Sequence, residues 1–217
     1  NSPGPAVKAI APSPGVEGKL PNSQHNWSQE FQVLSNDDSD FEWVTGIYLY
    51  HSKAGYDGVE FSGLAFGTPP LSSNGTFFTK SHQTTDSFSA YAQGTVPVAE
   101  DTDFTVGLRY TDEDQEMDTT VFGQPYPSPR DRGFEEPTWR VALDHSFADE
   151  VHGYVSYNRG VKGGGFDLLT PGSVCYEPEK LDAYEIGLKS ELLERTLRLN
   201  AAYFYYDYQN IQVQVIP

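Results

Sequence analysis

From Trp27 onward the chain runs in stretches of about ten residues whose apolar side chains recur at every second position, each stretch closed by Gly, Asn, Asp, Ser or Pro. A period of two belongs to the β-strand, in which successive side chains point to opposite faces. Within 103–112, Phe104, Val106, Leu108 and Tyr110 share one face, and Thr105, Gly107, Arg109 and Thr111 share the other. The same division sets Trp139, Val141 and Leu143 against Arg140, Ala142 and Asp144, and Tyr184, Ile186 and Leu188 against Glu185, Gly187 and Lys189. It returns along Leu197, Leu199, Ala201 and Tyr203. The pattern predicts eight strands, over 27–35, 41–50, 84–96, 103–112, 137–147, 151–159, 181–190 and 196–210. Residues 1–26, rich in Pro, Gly and Ser, read as a loop.

Alternation alone suits two all-β architectures: a soluble sandwich with an apolar interior, or a membrane barrel with an apolar exterior. The connections separate them. Short turns fall near 36–40, 98–102, 148–150 and 192–195, and between them come long stretches at 51–83, 116–134 and 160–179. Short and long in alternation is the pattern of an outer-membrane barrel, with tight periplasmic turns and extended extracellular loops. Aromatic rings gather where an interface belt belongs, with Tyr48, Tyr50, Tyr110, Tyr157 and Tyr203 to Tyr206 next to the outer strand ends. Aromatics make up 14% of a chain that is only 37% hydrophobic, so it is rich in amphipathic rings and poor in aliphatic filler. No run approaches the roughly 20 apolar residues of a membrane-crossing helix.

Several function classes drop out. A formal net charge of −17 opposes binding to polynucleotide phosphates. Cys175, the single cysteine, offers no internal disulfide and no thiolate metal site. His25, His51, His82, His145 and His152 are scattered without metal-ligand spacing, and no Gly-x-Ser-x-Gly elbow occurs, so neither a catalytic metal nor an enzyme is expected. Lys162 precedes Gly163, Gly164 and Gly165, the reverse of a phosphate loop, and the glycines read as a flexible loop root. Asp112, Asp114 and Glu116 share one side of an extended chain and read as a solvated loop base sooner than as a calcium site. Arg130 and Arg132 in one long connection, with Arg159 and Lys162 at the root of another, are the candidates to receive an anionic ligand, weighed against a plain role in balancing nearby carboxylates.

Four passages, in order, resemble one family. They are SQEFQVLSNDDSDFEWVTGIYLY (28–50), FTVGLRYTDED (104–114), VHGYVSYNRGVKGGGFD (151–167) and PEKLDAYEIGLKSELLERTLRLNAAYFYYDYQNIQVQ (178–214). Together they are similar to the barrel of the TonB-dependent receptors. That resemblance implies an antiparallel transmembrane β-barrel of roughly 22 strands, of which residues 1–217 are a partial barrel domain, with the plug and the terminal strands outside it. It implies energised uptake of a scarce, bulky solute, most commonly a ferric siderophore, across the outer membrane of a Gram-negative bacterium. The implied partners are the TonB–ExbB–ExbD complex acting through the plug, outer-membrane lipid and lipopolysaccharide. No cofactor is implied. The lipid-facing set is then Phe104, Val106, Leu108, Tyr110, Trp139, Val141, Leu143, Tyr184, Ile186, Leu188, Leu197 and Leu199. The rival readings are a passive porin and a soluble β-sandwich adhesin or carbohydrate-binding module.

Overall fold

The computed structural model describes residues 8–10, 17–36, 41–62, 76–126, 130–169, 172 and 175–213. Its strands are β1 (Lys8–Ile10), β2 (Glu17–Lys19), β3 (Asn22–Leu34), β4 (Glu42–Ser62), β5 (Thr76–Ala99), β6 (Thr102–Val121), β7 (Gln124–Pro125), β8 (Arg130–Ala148), β9 (Val151–Lys162), β10 (Glu179–Leu192) and β11 (Leu197–Gln209). All belong to one antiparallel sheet, in the order β1-β2-β4-β5-β6-β8-β9-β10-β11, with β3 also on β4 and β7 also on β6. The sheet is open, and no described residue is helical. Each long strand pairs with its sequence neighbour, as in an up-and-down barrel wall.

Strands β2 and β3 lie on the same edge of β4 and form one broken strand. The break falls at Leu20 and Pro21, where the proline has no N–H to give the ladder. Its carbonyl still accepts from Asp57 N at 3.0 Å, opposite the register shift between Tyr56 and Val59 on β4. The loop expected over 1–26 is therefore largely strand in its second half, and β3 starts five residues before the expected Trp27.

The long connections differ more. Most of the described part of 51–83 and of 116–134 is strand, because β4, β5, β6 and β8 continue as a regular ladder well past the apolar stretch. Acidic composition there reads as loop, yet the alternation never stops. Thr and Ser pair across the strands, as in Ser89–Thr111 at 3.0 Å and Ser81–Thr119 at 2.8 Å, which suits β-branched and hydroxyl side chains to a pleated surface. The β6–β7 hairpin closes on Phe122 and Gly123 at φ 51° and 75°. A two-residue turn with both centres left-handed matches the twist of its strands, and glycine meets no steric penalty there. Among the described residues, 163–169 and 175–178 of the connection expected at 160–179 are irregular, tied by a bridge between Gly165 and Tyr176. The short turns at 98–102, 148–150 and 192–195 are present, while residues 37–40 of the first turn lie outside the described residues.

Candidate functional site: the two faces of the wall

Cross-strand register carries the alternation of single strands across the whole sheet. Phe104, Leu143, Val155, Ile186 and Tyr203 stand in one row, and Val106, Val141, Tyr157, Tyr184 and Tyr205 in the next. All have side chains on one face, which is the exposed one, with Leu108 58% accessible. Buried residues on the other face are mostly small and polar: Ser52, Thr85, Ser89, Thr105, Gln115 and Ser156. Burial and polarity are thus inverted relative to a soluble protein, where apolar side chains go inside. Every residue of the predicted apolar set lies on the exposed outer face.

That face changes from apolar to charged along a slanted line. The last apolar residue before the first charged residue or histidine is Leu49 on β4, Phe88 on β5, Tyr110 on β6, Tyr157 on β9 and Tyr184 on β10; the next on the same face are His51, Asp86, Asp112, Arg159 and Asp182. The row of Tyr184 reaches Trp43 on β4, so the line climbs from 43 to 49 while crossing from β10 to β4. At about 3.3 Å per residue and about 4.8 Å per strand spacing, the strands lean about 40° from the normal to that line. A transmembrane barrel requires this tilt. From Trp139 to Phe147, β8 carries its apolar side chains over about the 9–11 residues a tilted strand needs to span hydrocarbon.

The upper inner face, at the end away from the short turns, is covered by residues 163–166. Gln115 donates its amide to Gly164 O at 3.0 Å, Phe166 N donates to Gln83 Oε1, and Gln212 donates to Gly163 O at 3.0 Å. Phe166 and Met117 are buried. A Cβ on Gly164 would sit 2.5 Å from Tyr176 O, so this glycine is needed for close approach and not for a flexible root. Burial beneath this segment pushes the Glu113 carboxyl above its ordinary value, against the pull of hydrogen bonds from Gln115 and Ser87. Across the sheet, a hydrogen bond from Ser23 holds the Asp57 carboxyl below its ordinary value, helped by His82 at 3.1 Å.

The four candidate cations are not brought together. Arg130 and Arg132 stand opposite Met117 and Gln115 on the inner parity of β8, and Lys162 stands on the inner parity of β9. Arg159 stands opposite Trp139 on the outer face, lies over its ring at 5.1 Å and pairs with Asp182 at 3.2 Å. Arg132 pairs with Glu177 at 2.9 Å and Lys162 with Glu179 at 3.5 Å. Asp112, Asp114 and Glu116 lie on the outer face, and no described cluster of acidic, His or Cys side chains is arranged to hold a metal ion. Counting by twos from Tyr157 places Arg159 outside. The same count marks inner-face cations that sequence reasoning passes over as ligand candidates, among them Arg109 and Arg140.

An inverted, tilted antiparallel sheet with short turns at one end and long hairpins at the other defines the wall of an outer-membrane-type β-barrel. The family model described as "TonB dependent receptor-like, beta-barrel" matches residues 9–217, and the chain belongs to that family. Its fold is similar to that of the ferric yersiniabactin uptake receptor FyuA from Yersinia pestis, at 17% identity and TM-score 0.79, over 97% of this chain and 32% of the receptor. It is similar to the siderophore receptor PiuA from Acinetobacter baumannii, at 15% identity and TM-score 0.65, over 88% of this chain and 33% of that one. It is also similar to the copper transporter OprC, at 14% identity and TM-score 0.50, over 95% of this chain and 45% of that one. The chain spans about a third of the length of the siderophore receptors it matches.

Proposed function

We propose that this chain forms part of the wall of a TonB-dependent transporter that carries a bulky ferric chelate across the outer membrane of a Gram-negative bacterium. The observation that carries the reading is the inverted, tilted wall, whose apolar face suits lipid and whose polar face suits a wet lumen. The apolar set from Phe104 to Leu199 meets outer-membrane lipid, the charged line above it meets lipopolysaccharide, the long hairpins stand outside the cell and the short turns face the periplasm. Drive comes from the TonB–ExbB–ExbD complex acting on a plug inside the barrel. Arg130, Arg132 and Lys162 serve ligand contact near the mouth; Arg159, facing the other way, anchors the wall at the lipid boundary. Relatives named as siderophore receptors support a ferric chelate as cargo. A copper cargo is less well served: one Met and one Cys in 217 residues supply few of the soft ligands that copper favours.

Cells expressing the full-length receptor test this with radiolabelled ferric chelates. The expected uptake is saturable and stops when a protonophore removes the inner-membrane energy source. Uptake that survives the protonophore and rises linearly with concentration would establish a passive channel, and extraction of the protein without detergent would establish a soluble sandwich.

A further inference from the structure

We propose that Arg109 and Arg140 form an anion-receiving site on the inner face of the wall, level with the upper edge of the apolar band, for a multiply charged, oxygen-rich chelate. Register pairs Arg140 with Gly107 and Arg109 with Thr138, so the two arginines stand on neighbouring strands, on one face, at diagonal positions about 7–8 Å apart. Arg109 is held rather than neutralised. Its Nη2 donates to Ser89 Oγ at 2.9 Å, and its guanidinium lies over the rings of Tyr48 and Tyr91 at 5.5 and 5.8 Å. Arg140 Nη1 donates to Asn158 Oδ1 at 3.0 Å.

Among the described residues neither guanidinium has a carboxylate within ion-pair distance, whereas Arg132, Arg159, Lys162, Lys180, Arg195 and Arg198 all do. Of the nearby acids, Glu30 has an oxygen engaged by Tyr91 Oη at 2.6 Å, and Glu136, diagonal to Arg109, is paired with Lys180 at 2.7 Å. Most of the five N–H donors of each guanidinium therefore remain for an incoming acceptor. Both side chains line a trough of about 550 Å³, part of whose floor is glycine, Gly107 and Gly160. In a chain of net charge −17 the inner wall would repel an anion, and two uncompensated guanidiniums reverse that sign locally. Planar forks suit carboxylate and catecholate oxygens better than ammonium groups do.

That the anion is an iron chelate rests on the uptake reading above; the anion site itself does not. The test uses the full-length receptor in detergent, with R109Q/R140Q beside the charge-preserving R109K/R140K. Tyrosine and tryptophan quenching is titrated with a multiply anionic ferric tris-catecholate and with a neutral ferric tris-hydroxamate. In parallel, a tryptophan introduced as Gln93→Trp, which lines the same trough, is quenched with iodide and with uncharged acrylamide. The expected result for R109Q/R140Q is about a tenfold loss of affinity for the catecholate chelate alone, with lost preference for iodide over acrylamide. R109K/R140K should keep the iodide preference and lose part of the chelate affinity. Wild-type receptor that binds neither chelate but retains the Arg-dependent iodide preference would sink the uptake reading and leave the anion site standing. Iodide preference and chelate affinity unchanged in R109Q/R140Q would overturn the site. An inserted tryptophan shielded from both quenchers, with chelate binding indifferent to the arginines, would overturn it in favour of an acidic segment of the receptor filling the trough.

Discussion

Leu108 and Arg109 are chain neighbours on β6, and they meet opposite surroundings. Leu108 lies exposed on the apolar face between Ala92 and Trp139, whereas Arg109 is half-buried among tyrosines and hydroxyls. The outer face is held by a medium and the inner face by specific partners. A medium rewards any side chain of the right polarity, so the outer rows mix Phe, Leu, Val, Ile and Tyr freely. Specific partners reward geometry, so the inner face uses cross-strand hydroxyl pairs, glycines under close contacts and a docked connection.

Exchanging the two environments should have the largest effect. Leu108→Arg should destabilise the assembled receptor by about 2–4 kcal/mol if Leu108 meets mid-bilayer hydrocarbon, and by less toward the interface where Tyr110 ends the apolar run. Arg109→Leu should still assemble, losing at most its local contacts with Ser89, Tyr48 and Tyr91, by heat-modifiability on gels and by urea unfolding in vesicles. Equal penalties would mean that the two faces meet the same medium. Brominated-lipid quenching locates it, with a tryptophan at Val106 strongly quenched and one at Thr105 weakly.

The next effect is confined to the inner face and to glycine. Gly164→Val forces the Tyr176 backbone away and breaks the Gln115–Gly164 hydrogen bond, so the docked segment should lose about 1–3 kcal/mol of local stability. Gly160, whose Cβ would meet nothing within 4 Å, is the contrast: Gly160→Ala should change stability by less than about 0.5 kcal/mol. Hydrogen exchange over 163–166 reads both. Equal protection in the two variants would deny that close packing selects the glycines.

The smallest effect is electrostatic. Because the folded-state pKa of Glu113 is raised above its ordinary value of 4.5, its share of docking stability is fully present below that value and is lost as pH rises through the folded pKa. Protection of the docked segment should therefore fall slightly as pH rises from below 4.5 toward neutrality, and Glu113→Gln should flatten that slope. A slope that survives in the variant would assign it to another group.

Much of the wall is legible in residue order alone. A period of two needs only nearest neighbours, so the apolar set from Phe104 to Leu199 and the eight long strands follow from local spacing. Parity also contains the outward placement of Arg159, since Tyr157 lies two residues before it, but its place beside a long connection gives it the look of a ligand candidate. Acidic and hydroxyl-rich residues at 112–121 mask the continuation of β6, because composition marks solvent exposure and does not distinguish an exposed loop from an exposed ladder.

Residue order thus specifies which side chains share a face and how the connections alternate in length. The folded sheet adds the register that aligns those faces into unbroken rows and sets the tilt of about 40°. It also adds the inward docking of 163–166 on Gln115 and Gln83, and the separation of paired cations from Arg109 and Arg140. These depend on contacts between residues far apart in the chain, such as Gln115 with Gly164, whose pairing no local period records.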